Sequence, residues 1–98
     1  MTTKTTGRAI ILHQKDNVAT ALEDFTAGMV IHFPERNLSV ALKDEIKFGH
    51  KFAVRDIREG EKVFKYGVAI GRSSQSVFIG EHVHLHNLVT LQTKGDAE

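Results

Sequence analysis

The sequence predicts a mainly β domain, on three observations. Its apolar runs are short and rich in β-branched residues, Gly, Asp and Asn bound them, and one seven-residue pattern with a central glycine occurs four times. Ninety-eight residues allow a single domain with a modest core, too small to wall a deep active-site cleft by itself.

Ala9-Ile10-Ile11-Leu12 is the first candidate strand. Asp16 to Phe25 is ambiguous, because Val18, Ala21, Leu22 and Phe25 fit helical spacing with Asp16 or Asn17 as N-cap, so at most one short helix is expected there. Met29-Val30-Ile31 and Leu38-Ser39-Val40-Ala41-Leu42 read as strands joined by a hairpin tip, Phe33-Pro34-Glu35-Arg36-Asn37, which holds the only proline. Phe52-Ala53-Val54, Val63-Phe64 and Val83 through Leu91 complete the strand candidates. The recurring pattern is apolar, two residues, Gly, two residues, apolar: Phe25 to Ile31, Ile46 to Phe52, Ile57 to Val63 and Val77 to Val83. Each copy predicts a turn with glycine at positive φ feeding a strand, and the uneven spacing excludes a solenoid. Residues 1–8 and 93–98 carry little apolar content and are expected to be flexible ends around a domain at 9–92.

A formal net charge of +1, with 41% hydrophobic and 26% charged residues, gives no basic excess for nucleic acid or a membrane surface. No apolar stretch approaches the roughly 20 residues of a membrane span, and no signal peptide is recognisable, so a cytoplasmic location is expected. Without cysteine there are no disulfides, thiolate nucleophiles or thiolate metal ligands.

Polar chemistry concentrates in Gly80-Glu81-His82-Val83-His84-Leu85-His86-Asn87. On a strand, His82, His84 and His86 share one face while Val83 and Leu85 point into the core. The competing reading is a solvated strand face. At roughly 3.3 Å per residue the three imidazoles span about 13 Å, so they cannot all ligate one ion, whereas a neighbouring pair with ligands from elsewhere can. His13-Gln14-Lys15-Asp16-Asn17 is either a functional loop or a turn whose Asp and Asn bond backbone. Gly49-His50-Lys51 and Lys65-Tyr66-Gly67 each set a cation beside glycine, which suits an approaching carboxylate or phosphate. No nucleophile elbow, Walker loop or dinucleotide fingerprint is present; Gly67-Val68-Ala69-Ile70-Gly71 has too few glycines for the last.

Taken in order, His13-x-x-Asp16-Asn17-Val18-Ala19-x-Ala21-Leu22, Gly49-His50-Lys51-Phe52-Ala53, Asp56-Ile57-x-x-Gly60-Glu61-x-Val63-x-Lys65-Tyr66-Gly67-x-x-Ile70-Gly71 and Gly80-Glu81-His82-Val83-His84-x-His86-Asn87 closely resemble the N-terminal (SAF) domain of the altronate dehydratase family. That group includes galactarate dehydratase and the small subunit of (2R)-sulfolactate sulfo-lyase. The resemblance covers residues 9 to 88 and implies a β-clip fold. It differs at Arg72-Ser73-Ser74-Gln75-Ser76, which is more polar here, and at the proline-containing tip.

The resemblance implies a hydro-lyase: β-elimination of water from a sugar acid to a 2-keto-3-deoxy acid, with an Fe2+-type divalent metal in the assembled enzyme. The chain would be its small subunit or N-terminal domain, inactive until joined to a large catalytic subunit or domain. A sulfo-lyase small subunit acting on sulfolactate is the nearest alternative, and a non-catalytic carbohydrate-binding or assembly module is the alternative of another class. Self-association into a homo-oligomer stands beside the large-subunit partner. His13, His50, His84 and His86 are then candidate catalytic groups, Asp16, Asn17, Lys51, Lys65 and Asn87 candidate substrate contacts with the lysines as carboxylate partners, and His82 and His84 candidate metal ligands. His13, His50, His82, His84 and His86 are expected on one surface, with His32 outside it.

Overall fold

A computed structural model describes residues 8–84 and 86–90. The flexible ends expected at 1–8 and 93–98 lie outside the described residues apart from Arg8, as do residues 91 and 92 and the expected core residue Leu85. Nine strands follow one another among the described residues: β1 (Ala9–Ile10), β2 (Val18–Ala21), β3 (Val30–Phe33), β4 (Leu38–Ala41), β5 (Lys51–Ala53), β6 (Lys62–Lys65), β7 (Val68–Ser73), β8 (His82–Val83) and β9 (Leu88–Thr90). They form an antiparallel four-stranded sheet in the order β1-β2-β5-β8, a β3-β4 hairpin and a three-stranded sheet in the order β6-β7-β9. The mainly β expectation holds.

The helix allowed between Asp16 and Phe25 does not form, and the segment supplies β2 instead. All four β2 residues are buried, and β2 pairs on both edges, through Ile10↔Thr20 on one side and Val18↔Ala53 on the other. A helix would bury one stripe, whereas a central strand buries both faces. Pairing with distant β5 therefore overrides the local spacing. Ala19 and Phe52, opposite one another, join a core of Phe25, Ile31, Val40 and Ile46. Val18 and Ala53 join a second core of Ile57, Val63, Val77 and Val83. The four-stranded sheet thus runs between two small hydrophobic cores.

The four glycine-centred copies assemble as two matched pairs. Phe25 bridges Ile46, and Ile57 bridges Val77. Gly28, Gly49, Gly60 and Gly80 all have positive φ. The match extends to side chains: Asp24 Oδ1 accepts from the Phe48 amide at 2.8 Å, and Asp56 Oδ1 accepts from the Ile79 amide at 2.9 Å.

Two further local features shape the molecule. The β3-β4 tip is a 3-10 turn, Pro34–Arg36, closed by Asn37 at φ 54, as its proline and asparagine lead one to expect. The β6-β7 hairpin turns through Tyr66 and Gly67, both at positive φ, the backbone of a type I′ turn. No helix of the described residues is long and apolar enough to cross a membrane.

Candidate functional site

Two chain segments bring four histidines together. His50 ends the second glycine turn and enters β5, while His82 opens β8, the neighbouring strand, opposite Phe52. The Asp44 carboxylate accepts from the His82 amide at 2.9 Å and fixes where that strand begins. Beyond Val83 the chain turns rather than continuing as the single strand expected from Val83 to Leu91. Asn87, 3% exposed, braces the turn: its Oδ1 accepts from the His84 amide at 2.9 Å, and its Nδ2 donates to the His82 carbonyl at 2.8 Å. The turn folds His86 back until its ring centroid lies 5.3 Å from that of His82. The 13 Å line of imidazoles expected of a regular strand is therefore replaced by a cluster.

Within the cluster His50 Nδ1 and His82 Nε2 are 2.9 Å apart. Their planes differ by 5° and their centroids lie 5.1 Å apart, close to the largest separation that nitrogen contact allows, so the two rings lie edge to edge in one plane. One nitrogen must donate and the other accept. His84 stacks on His50, with centroids 4.2 Å apart and planes 9° apart. Its Nδ1 is buried and has no hydrogen-bond partner among the described residues.

Burial lowers the pKa of His82, helped by His50, His86 and His84 and opposed by Asp44. Burial likewise lowers that of His84, followed by the charges of His50, Lys51 and His86. Both rings are thus held neutral near pH 7, able to accept a proton or offer a lone pair. Lys51 sits half-buried beside them, its pKa lowered by burial and then by Lys65. Among the described residues neither lysine forms an ion pair.

Nitrogen atoms of His50, His82 and His84 all lie within 4.8 Å of one another. Three imidazoles suit a nitrogen-preferring divalent ion in kind. His50 and His82, hydrogen-bonded at 2.9 Å, must move apart to place an ion at about 2.0–2.1 Å from each nitrogen, and His84, stacked on His50, must rotate its ring to join. The expected pair His82 and His84 is thereby joined by His50.

The remaining candidates sit elsewhere or face inward. Both Asp16 oxygens bind backbone: Oδ2 accepts from Leu12 and His13, and Oδ1 accepts from Gly67 at 2.7 Å. Burial pushes the Asp16 pKa up, but backbone donors of Gly67, His13, Leu12 and Tyr66 outweigh it and the net shift is downward. Asn17, fully buried, accepts from the Phe64 amide and donates to the Lys62 carbonyl. Asp16, Asn17 and Asn87 therefore spend their polar atoms on the fold, in keeping with the turn reading of the Asp16-Asn17 loop. His13 makes no ring contact with the other histidines among the described residues; it lies against the β6-β7 turn, where a Cβ on Gly67 would meet its Cδ2 at 2.8 Å. The expected five-histidine surface is thus a four-histidine cluster. His32 stands apart on β3, bonded to Ser39 at 2.8 Å.

Sequence reading missed Asp44 and Thr20. Asp44 belongs to the acidic positions flanking the glycine repeats, a signal present in the sequence, whereas Thr20 is found only through its pairing with Lys51.

Comparison with known proteins gives a consistent result. The chain is 44% identical over 81 residues to altronate dehydratase of Bacillus subtilis and 42% identical over 81 residues to that of Escherichia coli, in each case covering 83% of this chain and 16% of the relative. It spans about a sixth of those two proteins. It is 41% identical over 86 residues to (2R)-sulfolactate sulfo-lyase subunit alpha of Chromohalobacter salexigens, covering 82% of this chain and 92% of that subunit. The family model described as the altronate/galactarate dehydratase SAF domain matches residues 7–91, and the chain belongs to that family.

Proposed function

We propose that this chain is the small subunit or N-terminal domain of a lyase that eliminates water from a sugar acid, acting with a larger catalytic subunit or domain. The cluster of His50, His82, His84 and His86, assembled from two segments and braced by Asn87, is the observation that carries the reading. Packing alone selects apolar residues at sheet positions. Four imidazoles, with Lys51 acting on His84 and forming no ion pair among the described residues, instead suit a polar, anionic ligand.

Elimination from a 2-hydroxy carboxylate needs a base for the proton next to the carboxylate, positive charge for the enediolate, and help for the departing hydroxide. His84, held neutral, is suited to take or give a proton at its Nδ1, which has no partner among the described residues. Lys51 supplies positive charge beside it. His50 and His82, with His84 only where it is not the proton carrier, would hold a divalent ion of the Fe2+ type, which would supply Lewis acidity for the leaving oxygen. The similarity to sulfo-lyase subunit alpha, a separate short chain, supports sulfolactate as the alternative substrate, with sulfite leaving in place of water.

The test is to purify the chain with a large lyase subunit encoded beside it and assay altronate, galactarate and sulfolactate in parallel. Turnover should require both chains. Activity of the 98-residue protein alone, or no activity with any of the three acids in the complex, would refute the proposal.

A further inference from the structure

One row of register partners crosses the four-stranded sheet: Ile10, Thr20, Lys51 and Val83. Directly paired residues project from the same face, so the Thr20 hydroxyl and the Lys51 stem emerge side by side. Thr20 is 7% exposed, and its Oγ1 has no hydrogen-bond partner among the described residues. A buried hydroxyl left unpaired is costly, which makes it a marker for a group that a ligand completes. Lys51 is half-buried, and the charge that most perturbs it is another cation, Lys65. Lys51 has no ion-pair partner among the described residues, and a half-buried ammonium is stabilised by an anion that joins it. Lys65 is steadied by the Tyr66 ring, 5.0 Å from its Nζ.

We propose that Thr20, Lys51 and Lys65 form a seat for a small 2-hydroxy carboxylate, the two ammonium groups taking the carboxylate and the Thr20 hydroxyl pairing with the 2-hydroxyl. The carboxylate preference comes from the seat's own charges, whereas the 2-hydroxy acid identity rests on the lyase reading above. The charge of Lys51 lowers the pKa of His84, although Lys51, paired with Val83, and His82, paired with Phe52, project from opposite faces of the sheet. A carboxylate bound there neutralises that charge beside the imidazole. Binding at the seat needs neither the partner nor a metal.

The test uses the 98-residue chain at pH 7, free of metal and at constant ionic strength, with amide resonances followed during titration with sodium lactate. Saturable shifts at Thr20, Lys51 and Lys65 are expected, with weaker binding of acetate and none of methyl lactate. Lys51→Gln should weaken lactate binding roughly tenfold or more, the scale of a lost charge-assisted hydrogen bond. Thr20→Val should weaken lactate but not acetate, and Thr20→Ser should restore lactate binding. A dispersed amide spectrum for each variant separates lost binding from lost folding.

Absence of saturable lactate binding, or equal binding by wild type and Lys51→Gln, would overturn the seat. Acetate binding as tight as lactate, or Thr20→Val without effect on lactate, would overturn the hydroxy-acid identity. Neither result depends on turnover by the assembled enzyme, so failure of the seat and failure of the lyase reading are separately visible.

Discussion

Asn87 holds the His84 amide at 2.9 Å through its Oδ1, so a buried amide sets the turn on which the imidazole is carried. The same side chain donates to the His82 carbonyl, and the Asn87 amide donates to the His84 carbonyl at 3.0 Å. Asn87→Ala removes both side-chain bonds and leaves buried backbone groups unsatisfied. The expected loss is about 2–4 kcal/mol, from two bonds of about 1 kcal/mol each and the desolvation of what they leave behind. Urea denaturation measures it. A loss below about 0.5 kcal/mol would mean that the turn is held by something else.

Asp16 gives the fold a pH dependence. Its folded pKa lies below the ordinary value of 3.8, because backbone amide donors outweigh the burial that raises it. A depressed carboxyl pKa contributes stability that is fully present above the unfolded pKa and is lost as pH falls through the folded one. Wild-type stability should therefore fall steadily below about pH 4–5. Asp16→Asn should be less stable at pH 7, by roughly 1–3 kcal/mol, since an NH2 then faces a backbone donor. It should also show a shallower loss on acidification. Thermal melts of both proteins between pH 2.5 and 7 check the slope, and parallel curves would remove Asp16 as its source.

Gly80 and Gly28 occupy equivalent turns yet should respond differently to a methyl group. Both have φ near 90°, at 91° and 93°. A Cβ on Gly80 would lie 2.2 Å from the Ala41 carbonyl oxygen, whereas one on Gly28 would meet nothing within 4 Å. Gly28→Ala carries only the backbone strain, about 1–2 kcal/mol. Gly80→Ala adds a collision with backbone that also receives the turn, since Lys43 donates to the Gly80 carbonyl at 2.9 Å. Denaturation midpoints should rank wild type, Gly28→Ala, Gly80→Ala. Equal midpoints for the two variants would show that the turns absorb the clash.

The repeat was legible because its physics is local. Phe25, Ile46, Ile57 and Val77 are buried, and each is followed three residues later by a glycine at positive φ. What the sequence hid was decided at a distance. Val18–Ala21 reads equally as helix or strand until Lys51–Ala53 pairs with it. β7, the longest strand, was overlooked because Gly67 and Gly71 flank its apolar residues and Arg72 and Ser73 end it; Gly71 is required there because a Cβ would lie 2.2 Å from the Val89 carbonyl oxygen. At the site, the pairing of His82 with His84 could be expected from alternation, but the return of His86 depends on Asn87, and the entry of His50 depends on β5 lying beside β8.

His84 is the group whose removal best separates chemistry from folding. Its ring stacks on His50 and its Nδ1 has no partner among the described residues, so replacing it with alanine removes a proton-transfer group without stranding a hydrogen-bonded neighbour. The turn is held by its backbone, which His84→Ala retains. In the complex with the large lyase subunit, His84→Ala should lower kcat by roughly 10² or more, the usual scale for losing a general acid or base. Stability of the variant should stay within about 1 kcal/mol of wild type. His32→Ala is the matched control: that ring bonds only to Ser39 on the exposed side of the β3-β4 hairpin, and its loss should leave kcat unchanged. Full activity of His84→Ala in the complex, measured beside an equally stable His32→Ala, would remove the proton-transfer role from His84.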